Sequence, residues 1–256
     1  NRAHQEGAEY LLNSRAVTIE IKDDTVNIEV VRQGEELTLE AQAVVIASGF
    51  ASRLAEGMGM GRIKHFVLGA QAEVTTAGIA GVEVYFGSEV APGFFAWLVP
   101  ISPVKARLGL LSNRSPGLYL KRLVSTLLVQ GKIASDEVEP NYGGVSLKPL
   151  ARTYGERLLV VGTAAGQVKP TTGGGIYYGL LCADIAADNL HRAISSNDLS
   201  AGRLASYQQE WKKKLGREIS TGYRVRKLYQ HLSDGQVDRM FNTMADNGMV
   251  DLLLKA

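Results

Sequence analysis

A short apolar strand that runs straight into glycine constrains this chain more than any other feature. Leu158-Leu159-Val160-Val161 leads into Gly162-Thr163-Ala164-Ala165-Gly166-Gln167-Val168-Lys169-Pro170-Thr171-Thr172-Gly173-Gly174-Gly175-Ile176. Eleven of the seventeen residues from Val160 to Ile176 are Gly, Ala, Thr or Pro. Apolar periodicity then predicts a helix from about Gly174 to Ile194. Helices seldom begin on three glycines unless something must approach the backbone closely. A ligand lying against the free N–H groups of a helix N-terminus gives such a reason. The plainer reading is a flexible connection between strand and helix. Two phosphate-binding patterns are excluded. The P-loop needs Gly-x-x-x-x-Gly-Lys-Ser/Thr, whereas Gly162 and Gly166 are too close and no Lys-Ser/Thr pair follows. No Gly-x-Gly-x-x-Gly follows any predicted strand, and Gly57-Met58-Gly59-Met60-Gly61 has its third glycine misplaced.

The rest of the chain alternates between two kinds of strand. Val17, Ile19 and Ile21, then Val26, Ile28 and Val30, then Leu37 and Leu39 read as an antiparallel meander with one buried face. Residues 3–13 before it read as the end of a helix. Ala43-Val44-Val45-Ile46-Ala47 is apolar on both faces and reads as a buried parallel strand, like 158–161. Strands are predicted at 65–74, 82–87, 94–100, 104–111 and 142–148, with a helix from Pro116 to about Gln130. Residues 199–256 read as helical, with Leu204, Tyr207, Trp211 and Leu215 on one face. One sheet is therefore assembled from distant segments around a second, mostly antiparallel one.

Bulk properties narrow the function. The 256 residues carry a net charge of +2, so nothing in the total points to nucleic acid. A single cysteine, Cys182, excludes disulfides and multi-thiolate metal sites within the chain and fits a reducing, cytoplasmic setting. His4, His65, His191 and His231 are isolated and read as surface or core residues. No apolar run is long enough for a membrane span, and the polar first residues lack the core of a signal peptide.

Three segments together resemble the geranylgeranyl reductase family, within the flavoproteins of the p-hydroxybenzoate hydroxylase fold. Gly162-x-Ala164-Ala165-Gly166, Pro170 and Thr172-Gly173-Gly174-Gly175-Ile176 look like that family's second FAD-binding motif. Val44-Val45-Ile46-Ala47-Ser48-Gly49-Phe50-Ala51-Ser52 looks like the strand and loop that close the first flavin half. Pro92-Gly93-Phe94-Phe95-Ala96-Trp97-Leu98-Val99-Pro100 is similar to its substrate-domain motif. The resemblance implies an α/β (α+β) fold: an incomplete FAD-binding, Rossmann-like domain at 1–52 and 151–198, an inserted antiparallel-sheet substrate domain at 53–150, and a C-terminal helical region at 199–256. It implies FAD as cofactor, held by Gly162, Thr163, Ala164, Gly166, Pro170, Gly173, Gly174, Gly175 and Ile176. The backbone of 173–176 would face the pyrimidine end of the flavin, where a helix N-terminus stabilises the charge of the reduced ring. Two departures stand out. Thr163 replaces the family's Asp, which binds a ribityl hydroxyl and brings charge and reach that Thr lacks. The family's opening segment, with its Gly-x-Gly-x-x-Gly turn, has no counterpart, which predicts unpaired strand edges and bare apolar sheet surface.

The activity the resemblance implies is reduction of carbon–carbon double bonds in a geranylgeranyl or polyprenyl lipid. Phe95, Trp97 and Pro100 would bind that isoprenoid substrate, with aromatic faces stabilising positive charge as a proton reaches the alkene. A strand buried on both faces is the plainer reading of Phe95 and Trp97. No catalytic proton donor is identified; Tyr177 and Tyr178 are candidates, with packing the favoured role for each. The reductant would be NAD(P)H or a ferredoxin-like donor. Lys212, Lys213, Lys214, Arg217, Arg224, Arg226 and Lys227 face only Glu210 and Glu218 across 210–227. They read as a solvated helix face, or as a patch for peripheral contact with an anionic membrane surface. Two other functions stay open: a flavin monooxygenase or dehydrogenase of the same fold acting on a small substrate, and a flavin-free remnant that binds lipid or protein.

Overall fold

The computed structural model describes residues 2–50, 52–76 and 78–247. Ala51 in the predicted flavin-side loop, and 248–256 in the predicted helical region, lie outside the described residues. The first helix, α1 (Arg2–Gln5), is far shorter than the expected 3–13. Gly7 adopts φ +92°, and the amides of Gly7 and Ala8 donate back to His4 O and Ala3 O. That paired ending closes a helix once glycine enters the left-handed region. None of its residues is buried, so nothing outweighs the stop.

Next come β1 (Ser14–Ile21), β2 (Val26–Arg32) and β3 (Glu35–Ala41), paired in order as the expected antiparallel meander. Ile19, Val26 and Val30 form its buried side. Val17 leaves that side and is 48% exposed, because the register shifts between Ala16 and Thr18. A bulge adds one residue and reverses the alternation there. β4 (Val44–Ile46) and α2 (Leu54–Gly57) follow, then β5 (Phe66–Thr75), β6 (Glu83–Tyr85), β7 (Ala96–Ser102), β8 (Lys105–Ser112), α3 (Pro116–Val129), β9 (Asn141–Ser146), β10 (Tyr154–Gly155), β11 (Leu158–Val160), α4 (Ile176–Ser195), α5 (Ala201–Tyr229) and α6 (Asp234–Asp246).

The chain divides into two compact units. The first takes the residues up to Lys64 with Pro149–Val168 and Gly174–Arg217. In it, β11 pairs parallel to β4, with Leu158 opposite Val44 and Val160 opposite Ile46, and antiparallel to β10. The parallel pairing is as predicted, but the burial of β4 is not: it is the edge of this small sheet, and Val45 is 42% exposed. Leu158 and Val160 pack with Ile46, Val26, Met60 and Ala165 in one core. Leu204, Tyr207, Trp211 and Leu215 of α5 are all buried, on the predicted face.

The second unit takes His65–Lys148, Lys169–Gly173 and the described residues from Glu218 on. Its five-stranded sheet has the order β6-β7-β8-β5-β9 and is antiparallel throughout. α3 covers one face, burying Leu120, Leu123 and Leu127 with Leu98, Leu108 and Leu110. A separate cluster joins Val67, Phe94, Leu111 and Leu147 with Phe95, Trp97 and Val145. Among the described residues α5 contributes to both units and α6 to the second.

Candidate active site

In the first unit the glycine loop starts with a tight 3-10 turn over Gly162–Ala165. Gly162 and Gly166 both have positive φ, +69° and +76°, which glycine adopts without steric cost. The turn is tied internally. Gly166 N–H donates to Thr163 O at 3.1 Å, and Gln167 N–H donates to Gly162 O at 3.0 Å. Ala164 is buried in the β4–β11 core, so only its backbone faces the loop's outer side. α4 begins at Ile176 with Gly175 as its N-cap, one residue beyond the predicted glycines. Gly175 has no side chain with which to cap the first turn, whose amides have no acceptor within the helix itself. A Cβ at Gly175 would come within 3.3 Å of Thr163 Oγ1, which places the predicted Thr163 beside the predicted helix start. Around that start Ile176 is 84% exposed, with Tyr177 and Leu180 exposed beside it.

In the second unit the remainder of the loop meets the aromatic strand. Thr172 and Gly173 line a cavity of about 470 Å³ together with Phe95, Trp97, Leu111, Tyr142 and Val145. Glycines inside the strands shape it. Trp97 lies opposite Gly109, where a Cβ would come within 2.5 Å of the indole. Gly69 pairs with Leu111, and Gly143 and Gly144 of β9 line the same cavity. Glycine within a strand often marks close approach of another group, and that signal was legible in the sequence. Gly173, at φ +76°, would put a Cβ 3.0 Å from Leu111 Cδ1. Pro170 is buried against α5 at Gly222, where a Cβ would come within 3.3 Å of the proline ring. Pro100 does not join the cavity; it is exposed on β7 opposite Ala106. A larger cavity of about 750 Å³ lies in the first unit against β1 and α2, and none of the predicted site residues lines it.

Several side chains differ from their sequence reading. Arg226 belongs to the predicted solvated charge run, yet it is 6% exposed. It falls on the buried stripe of α5, one turn after Gly222. Its guanidinium donates to Asn113 Oδ1 at 2.7 Å and Gly93 O at 3.3 Å, and lies 5.1 Å from the Phe94 ring centre. Burial lowers its pKa from the usual value. Phe94 in turn stacks on Phe95 at 5.0 Å. Behind the glycine loop, Gln167 and Tyr207 are fully buried and hydrogen-bonded, a pairing that periodicity alone does not reveal. Tyr178 is buried and Tyr177 exposed, and neither lines the aromatic cavity. Cys182 is buried, and desolvation pushes its thiol up to about 12, as expected of a packing residue. His65 packs edge-on to Tyr223. Among the described residues no group of His, Cys, Asp or Glu could hold a metal, and no helix is long and apolar enough to cross a membrane.

No family model matches the chain. It is 31% identical to a digeranylgeranylglycerophospholipid reductase of Methanocaldococcus jannaschii, over 96% of this chain and 66% of that protein. It is 30% identical to digeranylgeranylglycerophospholipid reductase 2 of Methanothermobacter thermautotrophicus, over 95% of this chain and 65% of the relative. The chain thus spans just under two thirds of the length of these curated relatives. Among solved structures, a geranylgeranyl bacteriochlorophyll reductase-like protein from Thermoplasma acidophilum superposes with a TM-score of 0.82 at 24% identity. That match covers 93% of this chain and 63% of the other. The fold is shared with it.

Proposed function

We propose that the chain is a member of the geranylgeranyl reductase family and serves FAD-dependent reduction of carbon–carbon double bonds in a geranylgeranyl or other polyprenyl lipid. One observation carries the reading: Thr172 and Gly173 of the glycine loop and Phe95 and Trp97 of the aromatic strand line one cavity. A flavin gripped by the loop and an apolar chain held by the rings would then meet there.

The residues present fit the cofactor. A helix start with no side-chain cap offers N–H donors and a positive dipole end to a ring that gains negative charge. Gly162, Ala164, Gly166, Gly173, Gly174 and Gly175 present little or no side chain against a flat ligand. Thr163 would supply a hydroxyl to the cofactor, Pro170 sets the loop against α5, and exposed Ile176 would border the bound group. Bound FAD, once reduced, supplies hydride. Phe95 and Trp97 exclude water and stabilise positive charge on the substrate carbon through their ring faces. Pro100 shapes the strand rather than the cavity.

The reductant is a nicotinamide cofactor or a ferredoxin-like protein, and the setting is cytoplasmic. Exposed Val225 and Leu228 beside Arg224 and Lys227 at the end of α5 support peripheral contact with an anionic lipid surface. The test is direct. The full-length protein is loaded with FAD, reduced with dithionite and mixed with digeranylgeranylglyceryl phosphate. Product mass should rise by one hydrogen molecule per double bond. Unchanged lipid from a flavin-loaded protein would refute the assignment.

A further inference from the structure

The turn at Gly162 is shaped from behind by two buried side chains that nothing in the binding reading employs. Gln167 Oε1 accepts the Gly162 N–H at 2.7 Å, while the Gln167 backbone N–H donates to Gly162 O. Gln167 Nε2 donates to Tyr207 Oη at 2.9 Å, and the Tyr207 hydroxyl donates to Val160 O at 3.0 Å. Both side chains are fully buried, and burial pushes the Tyr207 phenol well above its usual pKa, so it stays neutral.

The donors and acceptors leave one arrangement. The Val160 carbonyl can only accept, so the phenol proton points to it. The phenol oxygen must then accept, so the Gln167 amide presents nitrogen to Tyr207 and oxygen to Gly162. Reversing the amide would set two N–H groups face to face at Gly162. The relay therefore ties the end of β11, the first glycine of the loop and Gln167, which follows its turn, to one side chain of α5. It holds Gly162 at φ +69°.

We propose that Gln167 and Tyr207 are positioning residues for the flavin-binding loop. They fix the backbone from Gly162 to Gly166 in its binding shape before FAD arrives, so that little ordering cost is left for the binding step. The proposal rests on the FAD reading above and adds the residues that preorganise its cradle.

The test measures FAD affinity by fluorescence titration of the full-length protein. Gln167→Met keeps the shape of the side chain and loses both side-chain hydrogen bonds; Tyr207→Phe loses only the hydroxyl. Trp211→Phe is the control. It lies one turn further along α5 and breaks the buried bond from Trp211 Nε1 to Thr153 Oγ1, at 3.0 Å, which does not touch the loop. Each relay variant, checked to be folded by circular dichroism, should weaken FAD binding about tenfold or more, and the double variant should be hardly worse than either. Trp211→Phe should lose stability with FAD affinity unchanged. A wild-type protein that binds FAD alongside relay variants that bind it equally well would overturn the positioning role alone. So would an equal loss of affinity in Trp211→Phe. A wild-type protein that binds no FAD would overturn the flavin reading and this inference with it.

Discussion

The glycine loop of the first unit and the aromatic strand of the second are both backed by buried polar side chains, but in opposite ways. Gln167 and Tyr207 are neutral, and their hydrogen bonds complement each other and the backbone around them. Arg226 behind Phe94 carries a charge, has no carboxylate partner among the described residues, and leaves Nε without a hydrogen bond. A satisfied neutral network is inexpensive to bury and costly to interrupt, because each loss strands a partner. A buried cation is costly to hold, so an apolar replacement gives back desolvation energy. Equal burial thus means rigidity in one place and a stability burden in the other.

The largest effect should fall on the neutral side. Gln167→Met strands the part-buried Gly162 amide and the buried Tyr207 hydroxyl and should cost about 2–3 kcal/mol in urea denaturation. Gly173→Ala should come next. Its φ of +76° and the 3.0 Å approach to Leu111 Cδ1 predict a loss of about 1–2 kcal/mol, with a smaller aromatic cavity in the variant's crystal structure. Arg226→Met should change stability by no more than about 1 kcal/mol, in either direction. A loss as large as that for Gln167→Met would erase the contrast.

The smallest effect belongs to a half-buried charge pair, which sharpens the comparison from outside. Glu83 of β6 accepts from Lys132 and Tyr85, and these hydrogen bonds hold its carboxyl below its usual pKa. A lowered folded-state pKa stabilises at pH values above the ordinary carboxylate value and loses that contribution as pH falls through the lowered one. With about a third of each charged side chain exposed, Glu83→Gln should cost only about 0.2–1 kcal/mol at neutral pH. Thermal melts of variant and wild type should converge in acid.

Much of this was legible in the sequence because it depends on period. The meander, the five strands of the second sheet and the buried stripe Leu204, Tyr207, Trp211 and Leu215 follow from alternation or helical spacing. Spacing could also have revealed Arg226. Positions 215, 219, 222 and 226 continue the buried stripe, but the neighbouring lysines and arginines dominate the local composition. Val17 could not be placed, since a bulge depends on pairing with a partner strand. The Gln167–Tyr207 relay is equally hidden: forty residues separate two side chains that meet only when α5 packs behind the loop. The glycine loop's composition is what predicts a ligand there. That the cavity beside Trp97 also reaches Gly173 is a fact of tertiary structure.

The central claim is that the glycine loop holds a flavin. The most direct test adds FAD to the full-length protein, removes free cofactor by gel filtration and records the visible spectrum. The account predicts a retained flavin spectrum, and a much weaker one from the Gly173→Ala variant. A protein that emerges colourless, folded by circular dichroism and unable to retain FAD, would contradict it.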